Sequence, residues 1–381
     1  MSGGERSLLL LLRGLPDDIL PVLACPEGPL DRAARAVDVP WVRVTGTAGS
    51  LKLHPIYTPR AVRELLRAAL EVRRACDELG IDVVHANSIR AGLIAALARR
   101  LGGPAVVAHI RDVLPAGAMS TVTGRLLGAS ADVIVANSRY TREHLPAGAI
   151  RSRTKVVHNP VDLNRFDPDR VDRSQIRDEL GLGKDAHLLT MVAQITPWKG
   201  QDTAIKALAG LRGRGHDAHL ALAGSAKFVD KATRFDNEAY LQHLHGLIGE
   251  LGLDRQVSFL GEREDVPAIL AATDVLLMPS WQEPFGRAII EAMAMGTAVV
   301  ATDVGGAAEI ITDDVDGLLL PPTEPRRWVT ALDRLLTDPQ RLQGLGAAGL
   351  GRADAFAVER HVKAILDVYA PLKPAVGAVT A

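Results

Sequence analysis

Short apolar runs alternate with amphipathic stretches along almost all of this 381-residue chain. Runs of three to seven residues bounded by Gly, Pro, Asn or Asp read as buried strands. Six fall in the first half, at 19–24, 41–44, 83–86, 106–110, 133–137 and 155–158. Six more fall in the second half, at 188–194, 220–224, 257–260, 275–279, 299–302 and 318–320. Apolar residues spaced three and four apart predict helices between them, among them 5–15, 61–79, 203–211 and 287–295. Strands that alternate with helices imply parallel sheets covered on both faces, and two such sets imply two doubly wound α/β domains. The polar, proline-containing text NPVDLNRFDPDRVD has no periodicity and marks the boundary, giving domains 1–165 and 166–357.

One strand is missing from this pattern. The chain opens Met1-Ser2-Gly3-Gly4 and passes straight into a helical segment. A doubly wound domain begins on a strand that feeds such a glycine turn. The expectation is therefore that about 10 to 15 residues of the native domain precede Met1.

Composition narrows the partners. Hydrophobic residues make up 47% of the chain, enough for two cores, and the net charge of −1 gives no global attraction to nucleic acid. The charge is uneven, with 22 Lys and Arg against 15 Asp and Glu in residues 1–165 and the opposite balance beyond. A basic first half suits an anionic acceptor or membrane surface, or simply a complementary domain face. Arginines at 60, 63, 67, 73 and 74 share one helix and read first as a solvated face, and only second as a contact for an anionic acceptor or lipid. Two cysteines are too few for a disulfide framework or a cysteine zinc site, and they fit a reducing, cytoplasmic setting. The leucine run 8–12 is too short to span a bilayer.

The densest chemistry lies in PSWQEPFGRAIIEAMAMG, residues 279–296. A strand ends, Pro284 and Gly286 punctuate the chain, and a helix begins at Arg287. Glu283 then sits at a strand's carboxyl end, and Glu291 lies about 10 to 12 Å further along. The helix directs its N–H groups and partial positive charge at the same crevice, which suits a phosphate. In VAQITPWKGQDTAIKAL a strand likewise ends in a loop carrying Gln194 and Lys199. A lysine there can neutralise a diphosphate as its bond to a sugar breaks. Two other motifs fail their context. Gly344 to Gly349 spell a dinucleotide fingerprint inside a helical region, and Asp167-Pro168-Asp169 reads as a turn.

The string EPFGRAIIEAMAMG resembles the signature of retaining family 4 glycosyltransferases of the GT-B fold, two Rossmann-like domains facing a cleft. TAVVATDVGGAAEIITDDVDGLLLPP, GEREDVPAILAATDVLLMPS and VVHNPVDLNRF extend the resemblance over most of the chain. It implies transfer of a sugar from a UDP- or GDP-linked donor to a hydroxyl acceptor, with retention of anomeric configuration. It implies catalytic roles for His109, Lys199 and Glu283. Donor contacts are implied for Gly3, Gly4, Gln194, Lys199, Arg263, Phe285, Gly286, Arg287 and Glu291, with Glu291 on the ribose, Glu283 near the sugar and the Arg263 loop against the base. Gln194 departs from the family's usual arginine, so Lys199 carries the charge alone or Arg287 joins it. No cofactor and no metal is expected. The resemblance also implies that a C-terminal helix at about 358–381 returns to the first domain, and that the acceptor is a glycan, lipid-linked or small molecule, with peripheral contact at the inner membrane face. A nucleotide-sugar epimerase, a phosphorylase and a nucleotide-sugar-binding protein without turnover remain open alternatives.

Overall fold

A computed structural model describes residues 1–46, 57–113, 118–226 and 235–372. Most of the loop 225–237, one of those on which base, sugar and acceptor choice is expected to depend, and the tail beyond Leu372 lie outside the described residues. The chain divides into two compact units. One combines residues 1–160 with the chain from Val358 onward, and the other is Val161–Ala357.

The first unit contains strands β1 (Leu23–Cys25), β2 (Trp41–Arg43), β3 (Val83–Ala86), β4 (Ala105–Ile110), β5 (Val133–Ala136) and β6 (Lys155–Val156). β1 and β2 pair parallel as one sheet, and β3-β4-β5-β6 form a second parallel sheet. The first run is shorter than its apolar text suggests. Pro21 offers no N–H to a ladder, Leu20 is 86% exposed, and Ile19 closes a turn onto Pro16, so pairing starts only at Leu23. The opening helix is Gly3–Gly14, two residues earlier than the hydrophobic pattern places it, because Ser2 and Glu5 make a reciprocal capping box. Gly3 and Gly4 therefore lie in the first helical turn and not in a glycine turn. The helix Val358–Tyr369 packs within this unit, where Val362, Ile365 and Val368 join Leu8, Leu9 and Leu11 over Val107 and Val135 of the sheet.

The second unit is one six-stranded parallel sheet built from β7 (His187–Val192), β8 (Ala218–Ala223), β9 (Val257–Gly261), β10 (Val275–Met278), β11 (Ala298–Thr302) and β12 (Leu318–Leu320). Its order is β12-β11-β10-β7-β8-β9. The chain thus winds outward in one direction from β7, then returns beside β7 and winds outward in the other. The strands are mostly apolar on both faces. Leu277 and Val300 face Trp328, Leu332 and the helix Gln201–Arg212, while Leu276 and Val299 face Ile289, Ile290 and Met293 of the helix Arg287–Ala294. Burying a side chain of this size contributes roughly 1.5–3 kcal/mol, so the two faces together dominate the unit's stability.

Glycines hold the turns at the sheet's carboxyl edge. Gly305 has φ 81°, and a Cβ there would stand 2.1 Å from the Glu283 carbonyl oxygen. A Cβ on Gly306 would stand 2.4 Å from Phe285 Cα, and the Gly306 N–H donates to that same Glu283 oxygen at 2.8 Å. The pair is a cradle for the Glu283–Phe285 turn. Gly305→Ala should destabilise the protein by more than about 2 kcal/mol, since left-handed strain of about 1–2 kcal/mol adds to the clash. Gly181→Ala is the control, with φ 64° and open space around its Cβ, and should show the strain alone. Urea unfolding midpoints check the difference, and equal losses would show that the close approach does not matter.

Candidate functional site

In a doubly wound sheet, the loops on either side of the reversal in strand order run apart and leave a crevice at the strands' carboxyl ends. Here the reversal falls between β7 and β10. The loop after β7 carries Gln194 and Lys199, and the loop after β10 carries Glu283. The two are tied together: Trp281 N–H donates to Trp198 O at 3.0 Å, and Trp281 Nε1 donates to Pro197 O at 2.7 Å. A short 3-10 turn over Pro197–Lys199 and a left-handed Gly200 aim Lys199 across the gap. A Cβ on Gly200 would meet Pro279 O at 2.3 Å, so close packing of the two loops requires glycine there.

Lys199 Nζ reaches Glu283 Oε2 at 2.6 Å, with side chains only 13% and 7% exposed. The ammonium also lies 4.1 Å from the Trp198 ring centroid, a cation–π contact. One turn into the following helix, Arg287 Nη2 pairs with Glu291 Oε1 at 2.5 Å, again with little exposure, at 16% and 8%. Each glutamate of the motif is thus a buried carboxylate beside its own cation. Gly286, at φ 104°, is the N-cap of that helix. The Phe285 side chain points inward against Phe356, leaving its backbone at the turn. Gln194 contributes its carbonyl to Gln201 Nε2 at 2.8 Å.

Two expected donor contacts have other engagements. Arg263 forks between Glu179 (2.6 and 2.9 Å) and Asp265 (2.8 and 2.7 Å). Those bonds raise the Arg263 pKa further and bind its guanidinium into the edge of the sheet beyond β9. Gly4 gives its carbonyl to Asn87 Nδ2 at 2.9 Å, and a Cβ on it would stand 3.2 Å from Arg111 Cδ. Sequence reasoning passed over Trp281, which is 40% exposed beside Lys199's loop, and Ser280, which is fully buried with an unpartnered Oγ. Both stand inside the motif text, and only the loop's fold separates them from ordinary turn residues.

His109 is the penultimate residue of β4 in the first unit and is fully buried. Its Nδ1 lies 3.2 Å from His85 Nε2 and 3.3 Å from Arg111 Nη2. Arg111 also donates to Asn87 Oδ1 at 2.7 Å and to Asn159 Oδ1. Tyr369 O–H meets His85 Nδ1 at 2.8 Å, and His361 stacks near His109. His85, His361 and Tyr369 carry no motif, and 284 residues separate the first hydrogen-bonded pair. Desolvation, and then the charge of Arg111, push His85 down to about 3 and His361 to about 4, and depress His109 well below its ordinary value. Desolvation raises the Tyr369 phenol.

Residues 172–351 match the model of the group 1 glycosyl transferases, and residues 1–165 match that of glycosyltransferase family 4. The chain belongs to the family 4, group 1 glycosyltransferases, enzymes of the GT-B class. It is 34% identical to the GDP-mannose-dependent alpha-(1-6)-phosphatidylinositol monomannoside mannosyltransferase of Mycolicibacterium smegmatis, over 74% of each chain. It is 33% identical to the D-inositol 3-phosphate glycosyltransferase of Salinispora tropica, over 76% of this chain but only 63% of that protein. Among solved structures, HepE of Anabaena in complex with UDP and glucose superposes with a TM-score of 0.83 at 27% identity, over 97% of this chain and 96% of the other. Sucrose-phosphate synthase of Thermosynechococcus elongatus shares the fold, with a TM-score of 0.70 at 22% identity over 92% of this chain and 99% of the other.

The depressed histidines set an acid limit on stability. Between their ordinary value of 6.5 and their folded values, the unfolded chain binds protons that the folded chain does not. Stability should therefore fall as pH drops below 6.5, each histidine adding up to about 1.4 kcal/mol per pH unit. Urea midpoints at pH 7.5, 6 and 5 read this before most carboxylates titrate. A flat profile over that range would contradict the burial of neutral histidines.

Proposed function

We propose that this enzyme transfers a sugar from a nucleoside diphosphate sugar, UDP- or GDP-linked, to a hydroxyl acceptor with retention of anomeric configuration. The observation that carries the reading is the meeting of Lys199 and Glu283 at the switch point, directly ahead of the helix Arg287–Ala294. The diphosphate would lie against that helix's amino terminus, where partial positive charge favours anions. Lys199 would turn from Glu283 to the leaving phosphate as negative charge develops there, and Glu283 would accept from the sugar's hydroxyls. Glu291 would accept from the ribose, held in place by Arg287. Gln194 and the backbone at Phe285 and Gly286 would complete the donor contacts, while the Arg263 loop would meet the base through its backbone.

Front-face displacement fits the residues at hand. The acceptor oxygen bonds to the anomeric carbon on the face from which the phosphate departs. The phosphate oxygen that takes the bonding pair then accepts the acceptor's proton. This route assigns no step to a metal or cofactor. His109 remains a proposed contributor from the first unit. HepE is described with UDP-glucose, and the mannosyltransferase relative uses GDP-mannose, so both donors are the ones to try first. The inositol phosphate named for other relatives makes a phosphorylated polyol a reasonable first acceptor.

A cytoplasmic location with peripheral contact at the inner membrane face accords with one more feature. Val62, Leu66 and Leu70 form an exposed stripe of one residue per turn on the helix Tyr57–Leu79, each nearly half exposed, beside the arginines at 60, 63 and 67. No helix among the described residues is long and apolar enough to cross a membrane. Co-sedimentation with anionic phospholipid vesicles should fall several-fold in a Leu66→Ser, Leu70→Ser double variant. Equal sedimentation of variant and wild type would refute the contact.

Steady-state kinetics test the chemistry. Lys199→Ala should lower kcat by about 10²–10³-fold, the usual loss when a charge-stabilising donor is removed. Glu291→Ala should raise the donor KM about 10-fold or more. Near-wild-type kinetics in both variants with a turned-over donor would defeat the assignment. An isomerised donor in the absence of acceptor would point to an epimerase.

A further inference from the structure

Lys199 is held by two partners of different kinds. Glu283 holds its charge through a directed bond, Nζ to Oε2 at 2.6 Å. The indole of Trp198 holds the same charge through its face, with Nζ 4.1 Å from the ring centroid. Such attraction reaches to about 6 Å and strengthens where water is excluded. Here the lysine side chain is only 13% exposed. Within residues 193–200 Lys199 is the one charged side chain, and Arg287 across the gap pairs with Glu291.

The backbone that carries the indole is fixed from both sides. Trp198 O accepts from Trp281 N–H at 3.0 Å, and Pro197 O accepts from Trp281 Nε1 at 2.7 Å and from Gly200 N–H at 3.1 Å. Lys199 N–H closes the same turn on Thr196 O at 3.0 Å. Gly200 then seats the turn against Pro279, whose carbonyl oxygen leaves no room for a Cβ. The loop after β10 therefore sets where the Trp198 side chain starts, while the long stem of Lys199 keeps its own rotations.

We propose that Trp198 is a positioning residue for Lys199: its indole face keeps the ammonium in the crevice while Lys199 passes from Glu283 to the departing phosphate. The inference rests on the phosphate role proposed for Lys199 above. A second carboxylate could hold the ammonium equally well, but it would repel the diphosphate and compete with it for the cation. An indole face carries only the partial negative charge of its quadrupole, so it attracts the ammonium and sets no full charge against the phosphate. Its pull varies slowly across the face and persists as Nζ moves, whereas the bond to Glu283 is lost beyond hydrogen-bond distance. The pull is greatest after Glu283 has let go and before the phosphate oxygen has gained its full charge, because the cation is then least compensated. The ring therefore acts on the chemical step more than on donor binding.

Two measurements on the full chain test it. In protein carrying ¹³C at the lysine ε-carbons, ring current should move the Lys199 ε-protons upfield, and Trp198→Leu should abolish that shift. Saturating UDP or GDP should leave the protons upfield. No shift in the free protein, or its loss once the nucleotide is bound, would overturn the proposal. Kinetics then separate the charge of the ring from its shape. Tryptophan bearing one, two or three ring fluorines, placed at position 198 alone, keeps the shape of the indole and weakens its face stepwise. With UDP-glucose or GDP-mannose as donor and water as acceptor, kcat for release of the nucleoside diphosphate should fall with each fluorine, by about 10-fold over the series. The donor KM should stay within about twofold. A flat series beside a Lys199→Ala variant that has lost its rate would reduce Trp198 to packing and overturn this inference alone. A Lys199→Ala variant with the wild-type rate, or a protein that binds neither nucleotide, would instead remove the phosphate role on which it rests.

Discussion

The second unit depends on a topological constraint. A parallel sheet that winds outward from a central strand in both directions sends its two innermost connections apart, so a crevice opens beside the point where their first residues clasp. β7 and β10 are neighbours, yet their following connections leave in opposite directions. The motif's charged side chains lie on those two connections. Lys199 follows β7, and Glu283 and Glu291 follow β10. Gly200, Gly305 and Gly306 exist as glycines because the loop backbones approach within contact distance of one another.

The charges in this gap are balanced before any ligand enters. Lys199–Glu283 and Arg287–Glu291 are mostly buried ion pairs, and such pairs contribute little net stability compared with apolar replacements. Their value lies elsewhere. A buried cation held by a carboxylate is preorganised, and an arriving phosphate can exchange places with that carboxylate at little cost in desolvation. The first unit uses the opposite device. There His85, His109 and His361 are kept neutral by burial and by the charge of Arg111, and they bring no net charge of their own.

The apolar runs located the twelve strands of the described residues, because a single polar side chain such as His85, His109 or His219 does not break a run whose neighbours are buried on both faces. Their ends were less legible. The run at 19–24 extends past its ladder because Pro21 cannot pair, and the first helix starts early because a serine cap outweighs two glycines. The Glu283 and Lys199 loops were legible as motif text. The clasp between them was not, since 84 residues separate the two side chains and only the strand order brings them together. The resemblance implied that the Arg263 loop lies against the base, and the bond of its guanidinium to Glu179, 84 residues upstream, was not legible beside that. His85, His361 and Tyr369 were invisible for the same reason: each is unremarkable on its own element, and only the packing of the helix Val358–Tyr369 in the first unit makes them a cluster.

The central claim is that the switch-point gap of the second unit receives the diphosphate of a nucleotide sugar. A crystal structure of the protein soaked with UDP-glucose or GDP-mannose tests it most directly. The account predicts diphosphate density at the amino terminus of the helix Arg287–Ala294, with Lys199 Nζ moved from Glu283 onto a phosphate oxygen. A diphosphate bound elsewhere, with the Lys199–Glu283 pair intact at its 2.6 Å separation, would contradict it.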